Sequence, residues 1–117
     1  MKQKYRLRRS SDFQRVRRIG KFYASPFMAL AFLRNELDHT RFGFVVSKRL
    51  GTAVQRNKIK RRLREATRLR AARIKPGFDL IFIAKPSLSQ AGYPEIEQFV
   101  EDLLKRSDLL EGSKVTS

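Results

Sequence analysis

From Lys48 to Arg64 the chain carries eight basic side chains and no acidic one. Within that run stand Arg56, Asn57, Lys60, Arg61 and Arg64, with Arg68 one helical turn beyond. Guanidinium, ammonium and carboxamide groups all donate hydrogen bonds, and donors three or four residues apart share one side of a helix. The chemistry such a row performs is recognition of phosphate through charge-assisted hydrogen bonds. With Ile59 at zero on a 100° wheel, Leu63 falls at about 40° and Ala66 at about −20°, which predicts a buried stripe. Asn57, Lys60, Arg61, Arg64 and Arg68 fall between about 100° and 200°, on the side turned away from that stripe. Glu65 lies beside the row at about 240°, within reach of Arg61 or Arg68. One carboxylate is too few to neutralise the face, and like charges four residues apart repel one another. A bound phosphate backbone reverses the sign of that cost, and counterion release adds to the gain. A charged stripe opposite an apolar one is ordinarily a solvated face, but such faces mix signs. Charge alone therefore points to nucleic acid, without separating RNA from DNA.

Other chemistries find little support. The absence of cysteine excludes a disulfide framework, a thiolate zinc site and a cysteine nucleophile. The single histidine, His39, sits in a polar turn and is expected to be ordinary surface. Asp12, Glu65 and Asp79 are scattered, without the pattern of a two-metal carboxylate site. No catalytic residue and no metal site is expected in the protein itself. Among the aromatics, Phe32, Phe42, Phe78, Phe82 and Phe99 are assigned to the core, while Phe13 is evenly balanced between core and ligand contact.

The distribution of charge supports a binding face. Of 117 residues, 27 are Lys or Arg and 11 are Asp or Glu, a net charge of +16 that opposes compaction. Residues 1–21 hold nine bases and one acid, residues 41–75 thirteen and one, whereas residues 94–117 hold six acids and three bases. No apolar run approaches the roughly 20 residues that span a bilayer. A basic helix lying on a membrane is disfavoured, because this chain has a core to receive its apolar residues. Met1–Arg9 lacks the apolar stretch of a signal peptide, so a cytoplasmic protein is expected. The organisation expected is a mobile basic arm over 1–9, one domain over 10–110 and a frayed tail over 111–117.

Several elements must position these groups. Ser11-Asp12-Phe13-Gln14 has the spacing of a capping box, opening a short helix that Gly20 closes in a left-handed turn. Residues 22–34 are one or two strands, interrupted near Ser25-Pro26. Phe42–Ser47 and Phe78–Ala84 are nearly continuous apolar strands, suited to a sheet covered on both faces. Between them runs the long basic helix, Ala53 to about Ile74, with Thr52 and Gln55 as a second capping box. Strand, helix, strand makes a βαβ unit with parallel strands. A last helix from Pro94 to about Leu110 carries Ile96, Phe99, Val100, Leu103 and Leu104 as its buried stripe.

The stretch from Ser47 to Glu65, with Arg56-Asn57, Lys60-Arg61 and Arg64 at its heart, closely resembles the signature of the bacterial ribonuclease P protein family. The resemblance extends to the basic arm, Asp12-Phe13, Gly20, Pro76-Gly77-Phe78-Asp79 and the final amphipathic helix. It implies one α/β sandwich in the order α-β-β(-β)-α-β-α, with a left-handed crossover that runs against the general right-handed preference. It implies catalysis by an RNA subunit that binds Mg²⁺, with the protein binding that catalytic RNA and the 5′ leader of precursor tRNA. No membrane and no obligate protein partner are implied. Lys48, Arg49, Arg56, Asn57, Lys60, Arg61, Arg64 and Arg68 are the implied RNA contacts. Phe13, Arg17 and Phe44 are assigned to a leader cleft between the first helix and the sheet, where bases stack on aromatic rings and cations follow the backbone. Part of the family has an aromatic where this chain has Arg17, which points to a phosphate contact there. An aromatic common near Ala31 is also missing, and Phe27 or Phe44 would have to stand in for it. Two other classes compete: a ribosomal or nucleoid protein that coats nucleic acid, and a metal-dependent nuclease acting alone.

Overall fold

Alternation along the strands divides the apolar residues between two faces of one sheet, in a computed structural model that describes residues 2–111. The sheet holds β1 (Lys21–Ala24), β2 (Met28–Arg34), β3 (Arg41–Val45) and β4 (Phe78–Ala84) in the order β1-β2-β4-β3. β2 is antiparallel to β1 and β4, whereas β3 runs parallel to β4. Parallel neighbours need a crossover, and α2 (Ala53–Arg70) supplies it. α1 (Ser10–Ile19) precedes β1, and α3 (Tyr93–Arg106) follows β4. The order is α-β-β-β-α-β-α, the α/β sandwich expected.

Leu30, Phe32, Leu80 and Phe82 share one core with Ile59, Leu63 and Ala66 of α2 and with Ile96, Val100, Leu103 and Leu104 of α3. Their neighbours Ala31 and Ile81 belong to a second core, with Val16 of α1 and Leu7. β2 and β4 are apolar in both registers because both faces are covered. β3 is an edge strand, and the amino-terminal segment covers it. Arg6 bridges Phe42 in parallel, and the Leu7 N–H donates to the Phe42 carbonyl at 2.8 Å. The inner end of the basic arm is thus docked in this structure. Leu7, the one aliphatic residue among these cations, is 5% exposed and anchors it.

Several local expectations are corrected. α1 starts at Ser10 with Arg9 as its cap and no capping side chain, so Ser11 and Gln14 lie inside the helix rather than forming a box. Gly20 ends α1 in extended backbone (φ −79°, ψ 176°), not in a left-handed turn. The second capping box does form: Gln55 N–H donates to Thr52 Oγ1 at 3.2 Å, and Thr52 N–H to Gln55 Oε1 at 2.8 Å. Gly51 just before it has φ 126°, and the space a side chain would need is taken by the Gln55 carboxamide. α2 stops at Arg70 rather than near Ile74, and α3 at Arg106 rather than near Leu110. The reason is tertiary, because Ile74 and Leu110 leave their helices to form a buried antiparallel bridge. Of the tail expected over 111–117, only Glu111 lies within the described residues.

Candidate nucleic-acid interface

Ile59, Leu63 and Ala66 are buried as the wheel requires, which leaves Asn57 and Arg61 exposed and Lys60 and Arg64 half-buried. Among the described residues, Arg56, Lys60, Arg61 and Arg64 have no carboxylate partner. The Nε of Arg56 is a buried donor without a hydrogen-bond partner there. Arg68 differs, since its Nε and Nη2 grip Glu65 at 3.0 and 2.6 Å. Those bonds hold the Glu65 carboxyl below its ordinary pKa. Both groups are exposed, so solvent and salt screen the pair and a phosphate can exchange for it. The row is therefore single-signed up to Arg64 and partly matched at its end. Lys48 and Arg49 sit exposed in a 3₁₀ turn (Lys48–Leu50) before α2, held by the buried Leu50.

Phe13, Phe44, Lys60 and Arg64 converge on one groove of about 250 Å³. Its remaining walls are Arg6, Leu7, Arg8, Phe42 and Gly43, so four cations and no carboxylate line it. Phe44 lies nearly parallel to Phe82, with ring centroids 6.0 Å apart at 11°. The Arg64 guanidinium stands 5.9 Å from the Phe44 centroid, a cation–π distance. Burial and the nearby Arg6 push the Arg64 pKa below the ordinary arginine value, although arginine stays charged at neutral pH. Aromatic rings beside unmatched cations suit single-stranded nucleic acid, whose bases stack while its phosphates are neutralised.

The groove does not take in every residue assigned to it. Arg17 is exposed and lies outside its walls. Ala31 is fully buried with Val16, so its position faces a core rather than the groove. Phe27 stacks on Phe99 at 4.3 Å and 7°, in the other core, whereas Phe44 lines the groove. Arg6, Arg8 and Gly43 also line the groove, and residue spacing does not mark the two arginines for it. Gly43 alone carried a signal, because a glycine inside an apolar strand marks a close approach.

Arg41 joins the two acids that sequence left apart. Its Nε and Nη2 donate to Asp79 Oδ1 and Oδ2 at 2.8 and 2.7 Å, and its Nη1 lies 3.6 Å from Asp12 Oδ2 on α1. Asn35 Nδ2 also donates to Asp79 Oδ1, at 2.9 Å. The hydrogen bonds to Asp79 raise the Arg41 pKa above its ordinary value. Asp12 and Asp79 thus converge on a guanidinium, which leaves that pair unsuited to hold a metal ion. Among the described residues, no three or more His, Cys, Asp or Glu side chains are grouped to bind one. Nor is any described helix long and apolar enough to cross a membrane.

A small, strongly basic α/β domain with a single-signed cationic helix beside an aromatic groove is the class these features define. The ribonuclease P family model matches residues 1–108. The ribonuclease P protein component of Roseiflexus castenholzii is 43% identical over 114 residues, spanning 97% of this chain and 93% of its own. That of Clostridioides difficile is 38% identical over 104 residues, spanning 88% and 91%. The solved RNase P protein of Staphylococcus aureus superposes with a TM-score of 0.86 at 35% identity, covering 92% of this chain and 98% of that one. For the Thermotoga maritima protein the TM-score is 0.80 at 33% identity, covering 86% and 96%. The chain belongs to the ribonuclease P protein family, and so is a subunit of a tRNA-processing ribonuclease.

Proposed function

We propose that this chain binds the catalytic RNA of ribonuclease P and the 5′ leader of precursor tRNA, promoting removal of the leader in the cytoplasm. The observation that carries the reading is the shared groove, in which Phe13 and Phe44 meet Lys60 and Arg64. Lys48, Arg49, Arg56, Asn57, Lys60, Arg61 and Arg64 contact the catalytic RNA, and Arg68 joins them by exchanging Glu65 for a phosphate. The leader enters the groove, stacking on Phe13 and Phe44 while Arg6 and Arg8 follow its backbone. Arg17 contributes a phosphate contact outside the groove. Mg²⁺ that activates water belongs to the RNA subunit, and the protein supplies binding and positioning.

Reconstitution tests this reading. Purified protein added to ribonuclease P RNA at low Mg²⁺ is expected to raise precursor cleavage and to favour precursor over mature tRNA. Cleavage that stays at the RNA-alone rate would leave only a coat protein. Cleavage by the protein without RNA would instead make it a nuclease in its own right.

A further inference from the structure

A second concavity opens across the Arg6–Phe42 bridge from the groove, and Phe42 lines both. It encloses about 460 Å³, inside the range of roughly 300–1,000 Å³ found for ligand pockets. Tyr5, Phe42, Ile74 and Pro76 give it apolar walls, and Arg68 and Lys2 bring positive charge to it. Its walls are fixed in advance. The Tyr5 ring meets His39 edge-on, with centroids 5.6 Å apart at 84°. His39 Nδ1 lies 2.8 Å from Asp38 Oδ1 and Nε2 3.1 Å from the Lys4 carbonyl, so either tautomer has an acceptor for its N–H. Thr40 also lines the pocket, its hydroxyl donating to the Lys75 carbonyl at 2.7 Å and accepting the Phe78 N–H at 3.2 Å.

We propose that this pocket takes one unstacked base of the RNA that lies along α2. The inference rests on the function proposed above and adds a second recognition site to it. Arg68 is the common element, because it ends the phosphate-directed row and also lines the pocket. A backbone following Lys60 and Arg64 reaches it there. Apolar walls that include a tyrosine ring suit a splayed-out base, the usual way proteins hold unpaired RNA. The acid at the pocket, Asp38, is turned to His39, so the entering nucleotide meets cations.

The test uses the full chain labelled with ¹⁵N and titrated with adenosine 5′-monophosphate, inorganic phosphate serving as control. The nucleotide is expected to shift the amides of Tyr5, Thr40 and Ile74 saturably, and phosphate is not. In parallel, Ala72→Phe fills the pocket from an exposed 3₁₀ turn, and Tyr5→Leu removes the ring while keeping an apolar wall. Each is expected to weaken binding to ribonuclease P RNA about tenfold, the order lost with one base stack. The preference for precursor over mature tRNA, set at the other groove, should persist. Nucleotide shifts confined to Phe13 and Gly43, or RNA binding by both variants equal to wild type, would overturn the proposal. So would shifts at Tyr5 by an acidic phenylalanine peptide but not by the nucleotide, which would assign the pocket to a protein partner. Should Ala72→Phe fail to fold, Tyr5→Leu and the titration of wild-type protein decide. Wild-type protein that does not stimulate the RNA removes the parent reading, whereas stimulation with unaffected variants removes the pocket alone.

Discussion

The Phe13 ring lies directly against Gly43, so that a Cβ placed on that glycine would stand 2.5 Å from Phe13 Cζ and 2.7 Å from Cε1. No side chain fits there while the ring keeps its position. The absence of a Cβ on β3 is therefore what lets α1 lay an aromatic across the strand and into the groove.

Gly43→Ala is accordingly expected to displace the Phe13 ring, the movable partner, and to weaken precursor binding about tenfold, as loss of one stacking contact would. Phe13→Ala should match it in direction and size. Mature tRNA lacks the leader, so its affinity should be unchanged in both variants. Equal losses for precursor and mature tRNA would reassign Phe13 to the core formed by Leu7 and Val16.

Arg64 stands between the groove and the exposed row, half-buried and without a carboxylate partner among the described residues. Arg64→Ala removes the cation over Phe44 and, on the function proposed, a phosphate contact with it. RNA affinity should fall, and the slope of log affinity against log salt should shrink by about one. Cleavage across a Mg²⁺ titration should move to higher Mg²⁺. A variant with wild-type salt dependence and wild-type Mg²⁺ response has lost no phosphate contact, and the assignment of Arg64 fails.

Local periodicity made the basic face of α2 legible, and tertiary contact hid the rest. Ile59, Leu63 and Ala66 repeat at helical spacing, so the wheel alone turned Asn57, Lys60, Arg61 and Arg64 outward. Thr52 and Gln55 form a box because both partners lie within one turn of chain. The ends of α2 and α3 depend instead on the Ile74–Leu110 bridge, 36 positions apart by subtraction of their numbers. Arg6 and Arg8 reach the groove because Leu7 is buried on the sheet, which a run of basic residues conceals. Glu65 was within reach of Arg61 and Arg68 alike, and only the side-chain geometry selects Arg68.

Arg41 ties α1 to the sheet through Asp12 and Asp79, so it positions Phe13 without lining the groove. Asp79 is 4% exposed. Arg41→Ala leaves that buried carboxylate with the Asn35 amide but no cation, and breaking a buried pair costs about 3–5 kcal/mol. For a domain of this size that is a fall in Tm of roughly 12–20 °C. Asp12→Asn, at the longer 3.6 Å contact, should cost under about 1 kcal/mol. If the two variants melt alike, Arg41 does not act through Asp79.

Glu101 joins α3 to α2 and sets the acid limb of stability. Its Oε1 accepts from Arg70 Nε at 2.5 Å and Arg73 Nη2 at 2.9 Å, and Lys105 Nζ lies 3.6 Å from Oε2. Burial raises its pKa, but the hydrogen bonds from Arg73 and Arg70 outweigh burial and leave the carboxyl below its ordinary value of 4.5. A folded-state pKa below the unfolded one means the ionised form favours the fold. That contribution is fully present above the unfolded value and is lost as pH falls through the folded one. Glu101→Gln removes it at every pH, so its cost should be full near about pH 7 and should shrink progressively as pH falls below 4.5 toward the folded-state value. Urea midpoints measured across that range check the point. An offset of the same size at both ends would show that Glu101 acts through packing rather than through its charge.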